Sequence, residues 1–168
     1  NTQLIVADPR EISLTDIAEI HMQQTSGTDV ALINAMMNVI LEEKLYDDKF
    51  IKERTENFDA LKSIIEKCTP KYASKITGIP EDDIRNAARL YAKASSASII
   101  YSMGITQHTT GTDNVLSLAN LAMLTGNVGK ECAGVNPLRG QNNVQGACDL
   151  GALPNVYSGY QKVDVPEV

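Results

Sequence analysis

The chain has 168 residues, 43% of them apolar, 21% charged and 5% aromatic, which suits one compact domain with an ordinary core and excludes a disordered or collagen-like chain. Fifteen basic residues against 21 acidic ones give a formal charge of −6. The acidic residues are spread along the sequence, so neither nucleic acid nor an anionic membrane surface is an expected partner.

The opening run Gln3-Leu4-Ile5-Val6-Ala7 reads as a buried strand that ends at Asp8, where Pro9 disfavours helix. After Gly27-Thr28-Asp29, apolar residues at Ile33, Met37, Ile40 and Leu41 predict a helix, with Thr28 or Asp29 placed to cap it. From Leu41 to Ser95 there are eleven acidic and eleven basic residues, a balance that predicts several short, solvated helices. The last of these spans about Pro80 to Ala94, with Pro80 near its first position, Glu81-Asp82-Asp83 in its first turn, and Arg89 and Lys93 toward its end. Ala97 to Tyr101 forms a second apolar run, and a helix from about Asp113 to Thr125 is stopped by Gly126-Asn127. Between Cys132 and Gln161 only Arg139 and Asp149 are charged, and five glycines make this stretch unsuited to regular helix.

Strands alternating with helices predict an α/β fold: a Rossmann-like parallel sheet with flanking helices. Two strands do not complete a sheet. Either further strands hide in the polar stretches, or the chain is an incomplete piece of a larger domain. No apolar run approaches the roughly 18–20 residues of a bilayer span and no basic-then-apolar signal opens the chain, so it reads as soluble and cytoplasmic, without direct membrane insertion. Cys68, Cys132 and Cys148 are too scattered for a disulfide framework or a paired-cysteine site, and His21 and His108 lack zinc spacing, so no metal-ligating residue is assigned.

Ligands of open α/β sheets bind beyond the carboxyl ends of the strands. Two loops lie there, one carrying Asp8, Pro9 and Arg10, the other Met103, Gly104, Thr106 and Gln107. A strand-end acid can accept hydrogen bonds from a ribose or from guanine N–H groups, or it can cap a turn of its own loop; Asp8 is open to both readings. The dinucleotide fingerprint of glycines, the phosphate-binding P-loop and the serine-nucleophile elbow are all absent. Arg139, followed by Gly140 and the carboxamides Gln141, Asn142 and Asn143, combines a bidentate anion holder with paired donors and acceptors suited to a heterocycle. A glycine- and asparagine-rich surface loop would share that composition.

In order, Asp8-Pro9-Arg10, Gly27-Thr28-Asp29, Met103-Gly104-Ile105-Thr106-Gln107, the stretch from Leu121 to Lys130 and Arg139-Gly140-Gln141-Asn142-Asn143-Val144-Gln145-Gly146-Ala147-Cys148-Asp149 span nearly the whole chain. Together they resemble the catalytic subunit of molybdopterin-dependent formate dehydrogenases, within the dimethyl sulfoxide reductase superfamily. The last motif is the specific one; the first two are weak by themselves. The resemblance implies a molybdopterin guanine dinucleotide cofactor with molybdenum or tungsten. Asp8, Pro9, Arg10, Gly27, Thr28 and Asp29 would lie at its guanosine end, and Met103, Gly104 and Gln107 against the cofactor. Arg139 would orient formate, with Gln141 beside it. On this basis residues 1–130 are expected to be the cofactor-binding part and residues 131–168 a loosely ordered active-site loop segment.

The same resemblance implies a four-iron four-sulfur cluster in the whole subunit, whose cysteine ligands are not in this sequence, and neither is the cysteine or selenocysteine that would ligate the metal. Partners implied are formate, the remaining domains of the same subunit and an electron-transfer subunit or carrier. The expectation is therefore an internal fragment, inactive by itself, of an oxidoreductase that converts formate to carbon dioxide. A sister oxidoreductase such as a nitrate reductase would share the cofactor cradle. A non-enzymatic docking or DNA-binding module on the helices between Leu41 and Ala94 is the third reading, opposed by the acidic Glu81-Asp82-Asp83 where phosphate would approach.

Overall fold

A computed structural model describes residues 2–166. The first apolar run forms β1 (Ile5–Ala7). Beyond it, a 3-10 turn at Thr15–Ile17 leads to β2 (Ile20–Met22), which pairs parallel with β1 so that Ala7 lies opposite Met22. β2 is one of the strands hidden in a polar stretch: Ile-His-Met is too short and too mixed to declare itself, and only pairing with β1 fixes it as a strand.

The helices then follow as α1 (Asp29–Glu42), α2 (Asp48–Arg54), α3 (Phe58–Ile65), α4 (Pro70–Thr77) and α5 (Glu81–Lys93). Short polar side chains start two of them: Asp47 accepts from the Phe50 N–H, and Thr69 from the Tyr72 N–H with Pro70 at the next position. Pro80 caps α5 from outside the helix, with ψ 139°, instead of occupying its first turn. β3 (Ser98–Tyr101), α6 (Met103–Thr106) and α7 (Gly111–Leu124) complete the alternation, and β4 (Gly134–Pro137) pairs with β3. The described strands thus form separate pairs flanked by helices, an α/β arrangement consistent with a partial domain.

α1 is the centre of the core. Nine of its fourteen residues are buried, among them Met37, Val39 and Ile40 with no exposure at all. It packs against α3, α4, α5 and α7. Fully buried alanines at 35, 73, 87, 88 and 122 let these helices approach closely. The buried Asn38 amide donates to the Ile65 carbonyl at 3.0 Å, a second bond to an oxygen that also accepts from the Cys68 N–H at 2.9 Å, and so ties α1 to the end of α3. At the far end of α1, the Arg89 guanidinium holds the Glu43 carboxylate through three contacts of 2.7 to 3.0 Å, and Arg85 reaches Glu42 at 3.2 Å.

Asn127, 1% exposed, ties α7 to the start of β3: its Oδ1 accepts from the Ala97 N–H at 3.0 Å and its Nδ2 donates to Thr125 Oγ1 at 2.9 Å. The glycine-asparagine pair predicted to stop α7 therefore also anchors the following strand.

The chain divides into two compact units, one up to Asn136 and one from Pro137 onward. The second unit contains α8 (Val144–Asp149), a 3-10 turn at Ser158–Tyr160 and an antiparallel pair of β5 (Val156–Tyr157) with β6 (Gln161–Lys162). The glycine-rich stretch is thus not free of helix. Six residues form one because Asn143, at φ 51°, turns the chain into it.

Two outcomes are expected in denaturant unfolding of the chain. Asn127→Ala leaves the Ala97 N–H without its acceptor and should lower stability by about 1–3 kcal/mol. The Arg89 side chain holds the Glu43 carboxyl below its ordinary range, mainly by hydrogen bonding. Because the folded value is depressed, the stabilisation is complete above the unfolded carboxyl pKa and is lost as pH falls through the folded one. Glu43→Gln should therefore be less stable than the parent at neutral pH, with the gap closing as pH falls below about 4.5.

Candidate functional site

The parallel pairing of β1 and β2 brings two carboxyl ends together. From β1 come Asp8, Pro9 and Arg10; from β2 come Gln23 and Gln24, followed by the loop into α1. Three side chains lace these segments: His21 Nε2 lies 3.0 Å from the Asp8 carbonyl oxygen, Gln23 Nε2 donates to the Pro9 carbonyl at 2.9 Å, and Gln24 Nε2 donates to Asp29 Oδ1 at 3.3 Å. Asp8 and Asp29, 21 positions apart in the sequence, are thereby placed at one end of one strand pair.

Asp8 makes a turn of its own loop, one of the two roles open to a strand-end acid. Its Oδ1 accepts from the Arg10 backbone N–H at 2.8 Å and faces the Arg10 Nε at 3.4 Å, making a turn. The backbone bond from Arg10 is the main reason its carboxyl stays below the ordinary range. Oδ2 has no hydrogen bond among the described residues, so an ionised oxygen remains to accept from a ligand.

Thr28 occupies the cap position of α1 but does not cap it; its hydroxyl donates back to the Thr25 carbonyl at 2.6 Å, and Gly27 makes the turn at φ 82°. Asp29 is 6% exposed at the first position of the helix, where the positive end of the dipole favours an anion. Its partner Gln24 is equally buried, and Gln24 Oε1 has no hydrogen-bond partner. The amide cannot be turned round to remedy this, because its nitrogen already faces the Asp29 carboxylate, which only accepts. Sequence reading assigned no role to Gln23 or Gln24; nothing in Met22-Gln23-Gln24 distinguishes a buried carboxamide from an exposed one.

The second loop follows β3. Met103 and Gly104 start α6, and Gln107 closes it, its Nε2 3.3 Å from the Met103 Sδ. Thioether sulfur is a weak acceptor, so this amide is held in place without being satisfied. His108 Nε2 lies 2.8 Å from the Gly104 carbonyl oxygen, closing the turn again. Only glycine fits at the start of α7: a Cβ on Gly111 would come within 2.1 Å of the Thr106 carbonyl oxygen. Asn114, fully buried in the first turns of α7, donates to the Ile105 carbonyl at 2.8 Å while its Oδ1 stays unpartnered. It too was missed in the sequence.

Buried acceptors without donors are rare in folded proteins and cost about 1–3 kcal/mol each. Gln24 Oε1, Asn38 Oδ1, the Tyr91 hydroxyl and Asn114 Oδ1 are such atoms among the described residues; of these, Gln24 Oε1 follows β2 and Asn114 Oδ1 lies in α7 beside the loop after β3, where an N–H donor could reach them. A pterin ring offers such donors. These acceptors therefore suit a pterin.

A cavity of about 430 Å³, lined by Gln3, Glu19, Ile20, Asn86, Arg89 and Lys93 among others, opens at the amino end of β2. It is at the opposite end of that strand from Asp8 and Gln24, and its Arg89 is already engaged by Glu43. Arg139 and Gln141 belong to the second compact unit, in the exposed loop before α8. Arg139 makes no ion pair among the described residues.

Comparison with known proteins agrees with these features. Relatives include the F420-dependent formate dehydrogenase subunit alpha of Methanocaldococcus jannaschii, 60% identical over 96% of this chain and 24% of that protein, and formate dehydrogenase H of Escherichia coli, 54% identical over 98% of this chain and 23% of that protein. The chain thus spans about a quarter of the length of the curated relatives it matches. Among solved structures, acetylene hydratase from Pelobacter acetylenicus superposes with a TM-score of 0.75 at 30% identity, over 77% of this chain and 18% of that one. The molybdopterin oxidoreductase family pattern matches residues 1–167. With that match over almost its entire length, and acceptors beside the strand-end loops that suit a pterin, the chain belongs to the molybdopterin oxidoreductase family.

Proposed function

We propose that the chain is a segment of a formate dehydrogenase catalytic subunit, that residues 1–130 hold one molybdopterin guanine dinucleotide, and that residues 131–168 present Arg139 to formate. The observation that carries this reading is the state of Arg139. It is the one cation between Cys132 and Gln161, it is exposed, and it makes no ion pair among the described residues. A free guanidinium in a charge-poor loop can take a carboxylate through two parallel N–H···O bonds. The names and identities of the methanogen and Escherichia coli relatives support formate as that carboxylate.

Formate oxidation yields carbon dioxide, one proton and two electrons. Bound molybdenum or tungsten with its sulfur ligands would supply the two-electron redox chemistry, and an iron–sulfur cluster and electron-transfer partner elsewhere in the enzyme would carry the electrons away. This chain's residues have a different task. Arg139 fixes the carboxylate and offsets its charge while the C–H bond breaks, with the Gln141 amide beside it in sequence as a second donor. Asp8 Oδ2 and Asp29 would receive the hydrogen bonds of a guanosine, with Pro9, Arg10, Gly27 and Thr28 shaping that pocket. Met103 and Gly104 would lie against the pterin part, and the Gln107 amide would leave its weak sulfur acceptor for it. On this reading the whole enzyme is an oxidoreductase with formate as substrate, and a cytoplasmic location is part of the proposal.

In the whole enzyme, Arg139→Ala should cut formate turnover by roughly two to three orders of magnitude with pterin content near that of the parent. Undiminished turnover would remove Arg139 from the site. Gln107→Ala, a change at an exposed side chain, should instead weaken cofactor retention about fivefold, measured as pterin released after gel filtration. Unaltered retention would take Gln107 out of the cradle.

A further inference from the structure

α6 is a single turn, Met103–Thr106, too short to persist by itself, and its carbonyls have no continuing helix to satisfy them. The residues that follow do so instead. The Met103 carbonyl accepts from the Gln107 N–H at 2.9 Å, the Gly104 carbonyl oxygen lies 2.8 Å from His108 Nε2, and the Ile105 carbonyl accepts from Asn114 Nδ2 at 2.8 Å. The Thr106 carbonyl is packed on Gly111, where a Cβ would come within 2.1 Å of its oxygen.

The contact from Asn114 differs from the others in its origin. Asn114 has no exposure, its N–H is tied to the Thr110 carbonyl at 2.8 Å, and the helix that carries it packs on α1. Its amide is therefore a fixed point. The bond to Ile105 is the one hydrogen bond of its side chain among the described residues, since Oδ1 has no partner. Ile105 in turn packs against the core, whereas Met103, Gly104 and Gln107 on the same turn are exposed. One side of the turn is thus pinned to the buried part of α7, and the other side presents the residues read above as facing the pterin.

We propose that Asn114 is a positioning residue for the cofactor: through the Ile105 carbonyl it anchors the Met103–Gln107 turn to α7 and so fixes the Gln107 amide where the pterin meets it. The inference rests on the reading of Met103, Gly104 and Gln107 as the cofactor-facing loop. Without the anchor the cofactor has to order the turn as it binds, and that cost is taken from affinity.

The test measures pterin released after gel filtration of the full-length, cofactor-loaded enzyme, for Asn114→Ala, Asn114→Asp, Gln107→Ala and the double variant Asn114→Ala with Gln107→Ala. Asn114→Ala should weaken retention about tenfold, a loss on the scale of one buried hydrogen bond. Since both residues act through one turn, adding Gln107→Ala should weaken it less than about twofold further, against the loss of about fivefold that Gln107→Ala causes in the parent. At about pH 5–6, burial keeps the carboxyl introduced by Asn114→Asp protonated, so its O–H donates to Ile105 in place of the amide and retention should return to within about twofold of the parent. Should Asn114→Ala fail to fold, Asn114→Ser replaces it in the same comparison, because its hydroxyl is shorter and bonds back within α7. Parent-like retention in the loss variant, losses that multiply independently in the double variant, or an Asn114→Asp enzyme no better than the loss variant at that pH would each overturn the inference. A Gln107→Ala enzyme that holds pterin as the parent does would overturn the underlying reading of the loop instead, whereas a weakened Gln107→Ala beside independent losses would sink the role of Asn114 alone.

Discussion

A helix that is apolar on every side must be enclosed on every side, and α1 is such a helix. Burial of Leu32, Ile33, Met36, Met37, Val39 and Ile40 cannot be met by one neighbour, so α3, α4, α5 and α7 gather round it. That enclosure sets the position of both strand-end loops. The first turn of α1 carries Asp29 beside the ends of β1 and β2, and α7, packed on α1, carries Asn114 beneath the loop after β3. The short helices between Leu41 and Ser95 thus have a structural purpose, and their balanced charge faces outward or ties them to the ends of α1, as Arg85 and Arg89 do with Glu42 and Glu43.

The site itself is built from what regular structure leaves over. Strand ends and helix starts carry backbone groups without partners, and here short side chains take up some and not others. Asp8 gives one oxygen to its own turn and keeps the other free. Gln24 and Asn114 each spend a nitrogen on a fixed acceptor and retain a carbonyl oxygen with no donor. A ligand rich in N–H groups completes such a set, which is why the chemistry of the loops and the family membership point the same way.

Much of this was legible in the sequence. Asp8-Pro9-Arg10 announced the end of a strand, Gly126-Asn127 the end of a helix, and the long motif from Arg139 to Asp149 the family. Other features had no local signal. β2 is three residues of mixed polarity, and its strand character comes from hydrogen bonds to β1 thirteen and more residues away. Gln24 looks like any solvated glutamine until the α1 start covers it. α8 forms in a stretch whose glycines argue against helix, because the left-handed Asn143 and packing on the turn at Ser158–Tyr160 outweigh an unfavourable propensity.

The sequence by itself determined the first strand, the long helices α1, α5 and α7, the scarcity of charge around Arg139 and the family to which the chain belongs, since these reside in spacing and composition. The tertiary structure decided which polar atoms go without partners. Burial and hydrogen bonding depend on contacts between residues distant in the chain, so the unsatisfied oxygens of Gln24 and Asn114 exist only once the helices and turns have packed.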